Sequence, residues 1–204
     1  FKNAEIITPS NDTSYEDVAG EHGQKFRINA WKGFIVADYL RKIYRETRPY
    51  EINKGDSDRL YEKSLKRLEI CIEKGSKGLH KILADIAGEF LRVPVDKSVR
   101  RPVVAIIGEI YMRDNSGCNG NIASRLEDLG LEVVIGPFSE WIYYSTHRFT
   151  RDSRWKKDTK GIIKSKIQGL GQDVIASSLL RGIKKFTDHE RDVSLHYMLN
   201  LCNT

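Results

Sequence analysis

The residues of this sequence that could do chemistry lie close together in one polar segment, residues 109–121. Glu109 can act as a general base or accept a hydrogen bond from a ligand, and Arg113 can pair with an anion. Asn115 and Asn119 offer turn-forming groups and backbone donors at the start of a helix, an arrangement that suits phosphate or carboxylate. A structural interpretation is also open, in which Glu109 pairs with Arg113 and the asparagines cap the helix.

Cys118 belongs to the same segment, where the start of a helix would lower the pKa of its thiol and make it more reactive. Cys71 and Cys202 lie on apolar helical faces and are predicted to be core residues. An iron–sulfur cluster needs several cysteine ligands, and the three cysteines of this chain lie far apart in sequence. The histidines show no metal-ligand spacing either. No metal site is therefore predicted within this chain.

A second candidate group, Glu140 and Trp141 with the neighbouring Tyr143 and Tyr144, follows further along the chain. The aromatic rings can pack a helix onto a sheet, or they can stack on an adenine or an acyl-CoA. We take Glu140 and Trp141, together with the polar segment, as one candidate ligand-binding site. No catalytic residue can be assigned.

Two short apolar runs would position these groups. Residues 103–107 form a continuous β-branched run, typical of a strand that is buried on both faces, and Glu132–Ile135 is a second strand. Between them a helix is predicted, with Ile122, Leu126 and Leu129 on one buried stripe. Ligands of open α/β sheets bind outside the carboxyl ends of the strands, which is where both candidate groups fall.

The predicted fold class is therefore α/β, a Rossmann-like (flavodoxin-like) parallel-sheet unit with additional packed helices. We expect three segments. The first, residues 1–99, is mainly helical and can contribute a strand at residues 5–8. The Rossmann-like βαβ core covers residues 100–147, and a helical basic segment covers residues 148–204. Two strands are fewer than a stable sheet usually has, so further strands are expected. Apolar periodicity predicts helices over residues 28–46, 56–73, 79–91, 139–145 and 153–186, the last bent near Gly169 and Gly171, and another from about Asp188.

Several short motifs in the same order resemble those of one protein family. GEIYMR at residues 108–113, RLEDLGLEVV at 125–134 and PFSEWIYY at 137–144 are joined upstream by ITPS at 7–10 and RPYE at 48–51. This set is similar to the acyl-CoA dehydratase activase-related proteins, which are allied to the iron–sulfur D-component of 2-hydroxyglutaryl-CoA dehydratase. The chain departs from the family at Ser116, Gly117 and Cys118, where a proline and an aromatic residue are usual.

The resemblance implies that the chain is an internal fragment of a larger cytoplasmic protein. That system would use ATP to drive electrons to acyl-CoA substrates. It implies a 4Fe-4S iron–sulfur cluster bound by cysteines elsewhere in the full-length protein, and no cofactor within this fragment, which alone should have no catalytic activity. The implied partners are the other domains of the parent chain and an acyl-CoA dehydratase or reductase component.

Composition leaves two alternatives open. The chain has 204 residues with a formal net charge of +6, no membrane-span-like apolar run and no signal peptide in residues 1–30. One alternative is a non-catalytic α/β module that binds a CoA ester, nucleotide or phosphate at residues 109–121. The other is nucleic-acid binding through the basic run at residues 148–166, which contains Trp155 but no recognisable nucleic-acid motif. Such a run is more often a solvated surface, so nucleic acid is not an expected partner.

Overall fold

The computed structural model describes residues 20–181 and residue 183. This part of the chain is mostly helical and contains a small two-stranded parallel sheet. The strand predicted at residues 5–8, the helix predicted from about Asp188, and Cys202 all lie outside the described residues. No helix in the described part is both long enough and apolar enough to cross a lipid bilayer.

Three helices form the first half of the described chain: α1 (Gly23–Thr47), α2 (Asp56–Glu73) and α3 (Leu79–Phe90). Helix α1 ends in a 3-10 turn, Arg48–Tyr50, because Pro49 has no backbone N–H with which to continue the helical hydrogen bonds. Arg48 itself keeps an α conformation. The three helices pack against one another, and their shared core confirms that Cys71 is buried. The best-buried apolar residues of this core are Leu40, Leu79, Leu83 and Ile86.

The sheet consists of β1 (Val103–Ile106) and β2 (Glu132–Ile135), which are parallel, with Val103 opposite Glu132 and Ile106 opposite Ile135. Three short helices connect the strands: α4 (Ile110–Asp114), α5 (Ser116–Asn119) and α6 (Ile122–Asp128). The strand–helix–strand order predicted for this segment is therefore present.

Two predictions about burial in this unit are wrong. Strand β1 is not buried on both faces: Val103 and Ala105 are exposed and Ile107 is 87% exposed, because among the described residues only β2 lies beside it. Two residues of the predicted apolar stripe are exposed: Ile122 at the start of α6 and Leu129 just after its end.

The side chain that α6 buries instead is a carboxylate. Glu127 accepts hydrogen bonds from Arg45 Nη1 at 2.8 Å and from Arg48 Nη1 at 2.6 Å, and its own side chain is fully buried. The two guanidinium groups compensate for the loss of water around the carboxylate, so this ion pair, and not an apolar stripe, sets the orientation of α6.

The RPYE motif also has a structural role. Tyr50 donates a 2.7 Å hydrogen bond from its hydroxyl to Glu132 at the start of β2. The Glu51 carboxylate accepts from the backbone N–H groups of Gly55 (2.9 Å) and Ser57 (2.8 Å), which satisfies donors at the start of α2. The motif therefore joins the N-terminal helices to the sheet.

Helices α7 (Phe138–Trp155) and α8 (Thr159–Leu180) form an antiparallel pair, with Gln168 of α8 donating to Thr146 of α7. Helix α8 runs through Gly169 and Gly171, so the chain is not interrupted at these glycines. The break comes earlier, at residues 156–158, where the Asp158 carboxylate accepts from Gly161 N–H at 3.0 Å and caps α8. Helix α7 passes without interruption through residue 147, where we placed a segment boundary.

Candidate functional site

The loops that follow the two strands lie side by side and form an open cleft of about 520 Å³. One wall comes from the chain after β1 and the other from the start of α7 after β2. The cleft therefore lies at the carboxyl ends of the parallel strands, where open α/β sheets bind ligands. Its lining residues are Gly108, Glu109, Ile110, Arg113, Phe138, Glu140, Trp141 and Tyr144.

Glu109 lies at the rim of the cleft and caps α4. Its Oε2 atom accepts a 2.9 Å hydrogen bond from Met112 N–H. This backbone hydrogen bond, followed by one from Tyr111, lowers the pKa of the Glu109 carboxyl, so the group is ionised at neutral pH. Arg113 forms its ion pair with Asp114 (Nε to Oδ2, 3.4 Å) and not with Glu109, so the internal Glu109–Arg113 pair is not the structure of this loop.

Arg113 and Glu140 lie deeper, on either side of Gly136. A Cβ atom at Gly136 would lie 3.1 Å from Arg113 Nη1 and 3.6 Å from Glu140 Oε2, so the glycine leaves space for both groups. Burial raises the pKa of the Glu140 carboxyl, Arg113 opposes that rise, and Asp38 adds to it. This half-buried carboxyl therefore holds its proton to a higher pH than an exposed glutamate would.

Asp38 and Arg41, both on α1, hold the segments that carry Arg113 and Glu140. The Asp38 carboxylate accepts from the backbone N–H groups of Phe138 (2.9 Å) and Ser139 (2.8 Å), which caps α7. Arg41 pairs with Asp38 at 3.1 Å and with Asp114, and it donates to the Gly136 carbonyl oxygen at 3.3 Å. The sequence did not reveal these residues, because a cap donated by a helix distant in sequence leaves no local pattern.

Aromatic side chains make the apolar wall of the cleft. Phe138 stacks on Phe34 of α1, with ring centroids 4.4 Å apart. Trp141 lies 6.0 Å from Phe138, and both Trp141 and Tyr144 keep about half of their surface exposed. Tyr143 points elsewhere and meets Trp31 edge-on at 5.1 Å. The exposed faces of Trp141 and Tyr144 can therefore cover an apolar or planar ligand.

Asn115, Cys118 and Asn119 are not among the residues that line the cleft. Asn115 accepts from Cys118 N–H at 3.1 Å and caps α5. The Asn119 amide donates to the carbonyl oxygens of Met112 and Arg113, both at 3.0 Å. The capping and turn-forming interpretation of the two asparagines is confirmed, while Cys118 is exposed and its proposed reactivity stays a prediction.

The hydrogen-bonding pattern limits which ligand groups the cleft can take. The first donors of α7 already bind the Asp38 carboxylate, and those of α4 bind Glu109. The remaining charged groups are two glutamates and one arginine. This balance favours a neutral acceptor, such as a carbonyl oxygen, over a phosphate at this point.

An exposed stripe of α7 leads away from the cleft. Trp141, Tyr144, Arg148, Arg151 and Trp155 follow one another at helical spacing, so their side chains share one face. Arg148 and Arg151 lie 3.8 Å and 3.4 Å from Asp152, and the Trp155 ring is 90% exposed. We call these five residues the α7 stripe. It combines aromatic faces with two guanidinium groups.

The described residues contain no group of three or more His, Cys, Asp or Glu side chains that could hold a metal ion. Comparisons of the chain with protein-family profiles, with curated proteins and with solved structures found no match.

Proposed function

We propose that this chain is a ligand-binding domain of an acyl-CoA dehydratase activase-related protein and that its cleft receives the thioester end of a CoA ester. One observation carries the proposal. The two segments with the most specific motif residues, 108–113 and 137–144, belong to different strand–helix junctions, yet both line the same cleft. Both segments turn polar or aromatic side chains toward this shared space, including Arg113, Glu140 and Trp141.

The architecture of the sheet supports the same proposal. The parallel β1–β2 pair with its short-helix connection and its cleft at the carboxyl ends is the arrangement expected of a Rossmann-like, flavodoxin-like unit.

Arg113 would donate a hydrogen bond to the thioester carbonyl. Its guanidinium and the Glu140 carboxyl both approach the position that a Cβ atom of Gly136 would take, so the two groups face one small space. A hydrogen bond from the guanidinium strengthens if negative charge develops on the carbonyl oxygen. The pantetheine arm would then lie on the exposed faces of Trp141 and Tyr144.

The phosphates of CoA must lie outside the cleft, because Glu109 is ionised at its rim. The α7 stripe offers a place for them. At a rise of 1.5 Å per residue, Arg148 and Arg151 lie about 6 Å and about 10 Å beyond Tyr144 along the helix. Trp155, about 6 Å further, has a free ring face on which an adenine can stack.

The described residues do not fit an iron–sulfur cluster. Cys71 is buried in the helical core, and Cys118 is a single exposed thiol. We therefore assign this chain the binding and orientation of an acyl-CoA. Any electron-carrying cluster belongs to other parts of the parent protein.

Titration of the intrinsic tryptophan fluorescence with a short-chain acyl-CoA tests the proposal. We expect saturable quenching that is reduced in Trp141→Phe, where the quenching of Trp155 remains. We expect a roughly 10-fold weaker affinity in Arg113→Ala, on the order of one charge-assisted hydrogen bond. The double variant Arg148→Ala/Arg151→Ala should also weaken binding. Arg154→Ala, an exposed arginine on another face of α7, is the matched control and should change nothing.

A panel of ligands separates the alternatives. Binding of inorganic pyrophosphate as tight as that of acyl-CoA would favour a simple anion-binding module. Salt-sensitive binding of an oligonucleotide, lost with the α7 stripe arginines, would favour nucleic acid. No response to acyl-CoA, or a response that both Trp141→Phe and Arg113→Ala leave unchanged, would overturn the cleft proposal.

A further inference from the structure

The outer face of α8 carries large apolar side chains that nothing covers in the described part of the chain. Ile163, Ile167, Leu170 and Val174 are 54%, 65%, 66% and 68% exposed. The opposite face of the same helix is buried against α7 and α1, through Ser165, Gln172, Ala176 and Leu179. We call the four exposed residues the α8 seam. An apolar stripe on a helix that already packs on its other side marks an interaction surface.

The spacing of the α8 seam indicates that its partner is another helix. The intervals are four, three and four residues, which are the a and d positions of two heptads. These intervals between seam residues read the same from either end of the helix. A twofold axis between Ile167 and Leu170 would therefore bring the seam onto itself.

We propose that α8 packs antiparallel against α8 of a second copy of this chain, around that twofold axis. Ile163 then lies opposite Val174 of the second copy, and Ile167 lies opposite its Leu170. Each copy contributes the same four side chains, so the contact is closed and leaves no seam residue unpaired.

Charges beside the seam favour an antiparallel partner over a parallel one. The first half of α8 carries Lys160, Lys164 and Lys166, and Asp173 follows in the second half. In the antiparallel arrangement Lys166 lies close to Asp173 of the second copy, and this contact occurs twice. A parallel arrangement would instead place Lys166 beside Gly171 and Asp173 beside Ser178 of the second copy, so neither charge would meet an opposite one.

Gly171 gives a separate reason to expect a neighbour. A Cβ atom added at Gly171 would meet nothing within 4 Å, so no contact in the described residues requires a glycine in the middle of this helix, where glycine lowers helix stability relative to alanine. Gly171 and Lys164 lie on the same flank of the α8 seam. In the antiparallel arrangement, Lys164 of the second copy therefore lies over Gly171. The missing side chain leaves room for the aliphatic stem of that lysine.

Sedimentation or light scattering over a concentration series tests the proposal on the full chain. We expect a monomer–dimer equilibrium that Ile167→Asp shifts at least 10-fold toward monomer, with the melting temperature of the monomer unchanged. Leu129→Asp, at an exposed leucine of the loop after α6, is the matched control and should leave the dimer intact. A chain that is monomeric at every concentration, or a dimer that Ile167→Asp leaves unchanged, would overturn the proposal.

Disulfide trapping reports the direction of packing, in a background where Cys118 and Cys202 are replaced by serine. Ile167→Cys/Leu170→Cys should form intermolecular disulfides in mild oxidant, and Ile167→Cys alone should form far fewer. Efficient trapping of Ile167→Cys alone would indicate parallel packing, in which position 167 faces its own counterpart, and would contradict the proposal. If instead residues 184–204 cover the seam, the chain stays monomeric and Ile167→Asp lowers its melting temperature. None of these outcomes depends on acyl-CoA binding.

Discussion

Arg113 and Glu140 come from different strand–helix junctions and approach the same point, the open side of Gly136. The guanidinium and the carboxyl are held there by separate supports. Asp114 pairs with Arg113, while Glu140 lies in the first turn of a helix capped by Asp38. Two groups of opposite charge beside a glycine make the floor of the cleft sensitive to a single added methyl group.

Gly136→Ala should therefore weaken acyl-CoA binding more than it weakens the fold. The new Cβ would lie 3.1 Å from Arg113 Nη1, tighter than ordinary contact, so the guanidinium must shift. We expect roughly a 10-fold loss of affinity and a destabilisation of about 1 kcal/mol. Gly88→Ala is the control, since a Cβ there meets nothing within 4 Å, and it should stabilise α3 by up to about 1 kcal/mol. Unchanged affinity in Gly136→Ala would remove Arg113 from the ligand site.

Glu127 should be among the most costly polar residues to remove. Its buried carboxylate binds Arg45 and Arg48. Glu127→Ala therefore removes the carboxylate that pairs with the largely buried Arg45 and leaves Arg48 with the more exposed Asp58 and Asp128. We expect a loss of about 3–5 kcal/mol in urea unfolding. Asp128→Ala on the same helix is the matched control: this carboxylate is exposed, lies 3.5 Å from Arg48, and should cost less than about 1 kcal/mol. Equal effects of the two substitutions would contradict this account of how α6 is held.

The two glutamates of the cleft should affect stability with opposite dependence on pH. Burial raises the pKa of Glu140 above its usual 4.5, so folding favours the protonated form. The stability that this provides is complete below pH 4.5 and is lost as the pH rises through the raised pKa. Glu140→Gln should therefore become steadily more stable relative to the wild type across that window, by a modest amount because the group is half-exposed.

Glu109 has a lowered pKa, so its contribution is present above pH 4.5 and is lost as the pH falls through the lowered value. The free energy of unfolding of Glu109→Gln should differ from that of the wild type above pH 4.5 and approach it at acid pH. Unfolding curves of both variants and of the wild type, measured from pH 3 to pH 8, test these two opposite pH dependences. Parallel curves for Glu140→Gln and Glu109→Gln would contradict the opposite shifts.

The sequence alone predicts much of the local structure, because local rules determine it. Pro49, which has no backbone N–H to donate, ends α1, and the β-branched runs give β1 and β2. The sequence also predicts that Glu109, Arg113, Glu140 and Trp141 lie at one edge of the sheet, because the carboxyl ends of parallel strands meet there. All four residues line the cleft.

What the sequence does not predict depends on partners that are distant along the chain. Glu127 faces inward because α1 supplies two arginines, and no local pattern in α6 reports them. Asp38 is a cap for a helix that begins a hundred residues later. The glycines of α8 favour an interruption, but the helix, which packs against α7, continues through both. In each case a tertiary contact outweighs a propensity of at most about 1 kcal/mol.

Asp38 provides the last prediction, because it occupies the position at which a helix usually binds an anion. Asp38→Ala frees the N–H groups of Phe138 and Ser139 and leaves Arg41 with one carboxylate fewer. We expect a loss of about 1–2 kcal/mol, typical of a removed N-cap. The same substitution should create a phosphate site, so millimolar phosphate should raise the melting temperature of Asp38→Ala more than that of the wild type. Asp158→Ala removes the cap of α8 away from the cleft, and it is the control for loss of a cap alone. If phosphate stabilises the wild type as strongly as Asp38→Ala, then the first turn of α7 is open to anions despite Asp38, and the phosphates of CoA need not lie on the α7 stripe.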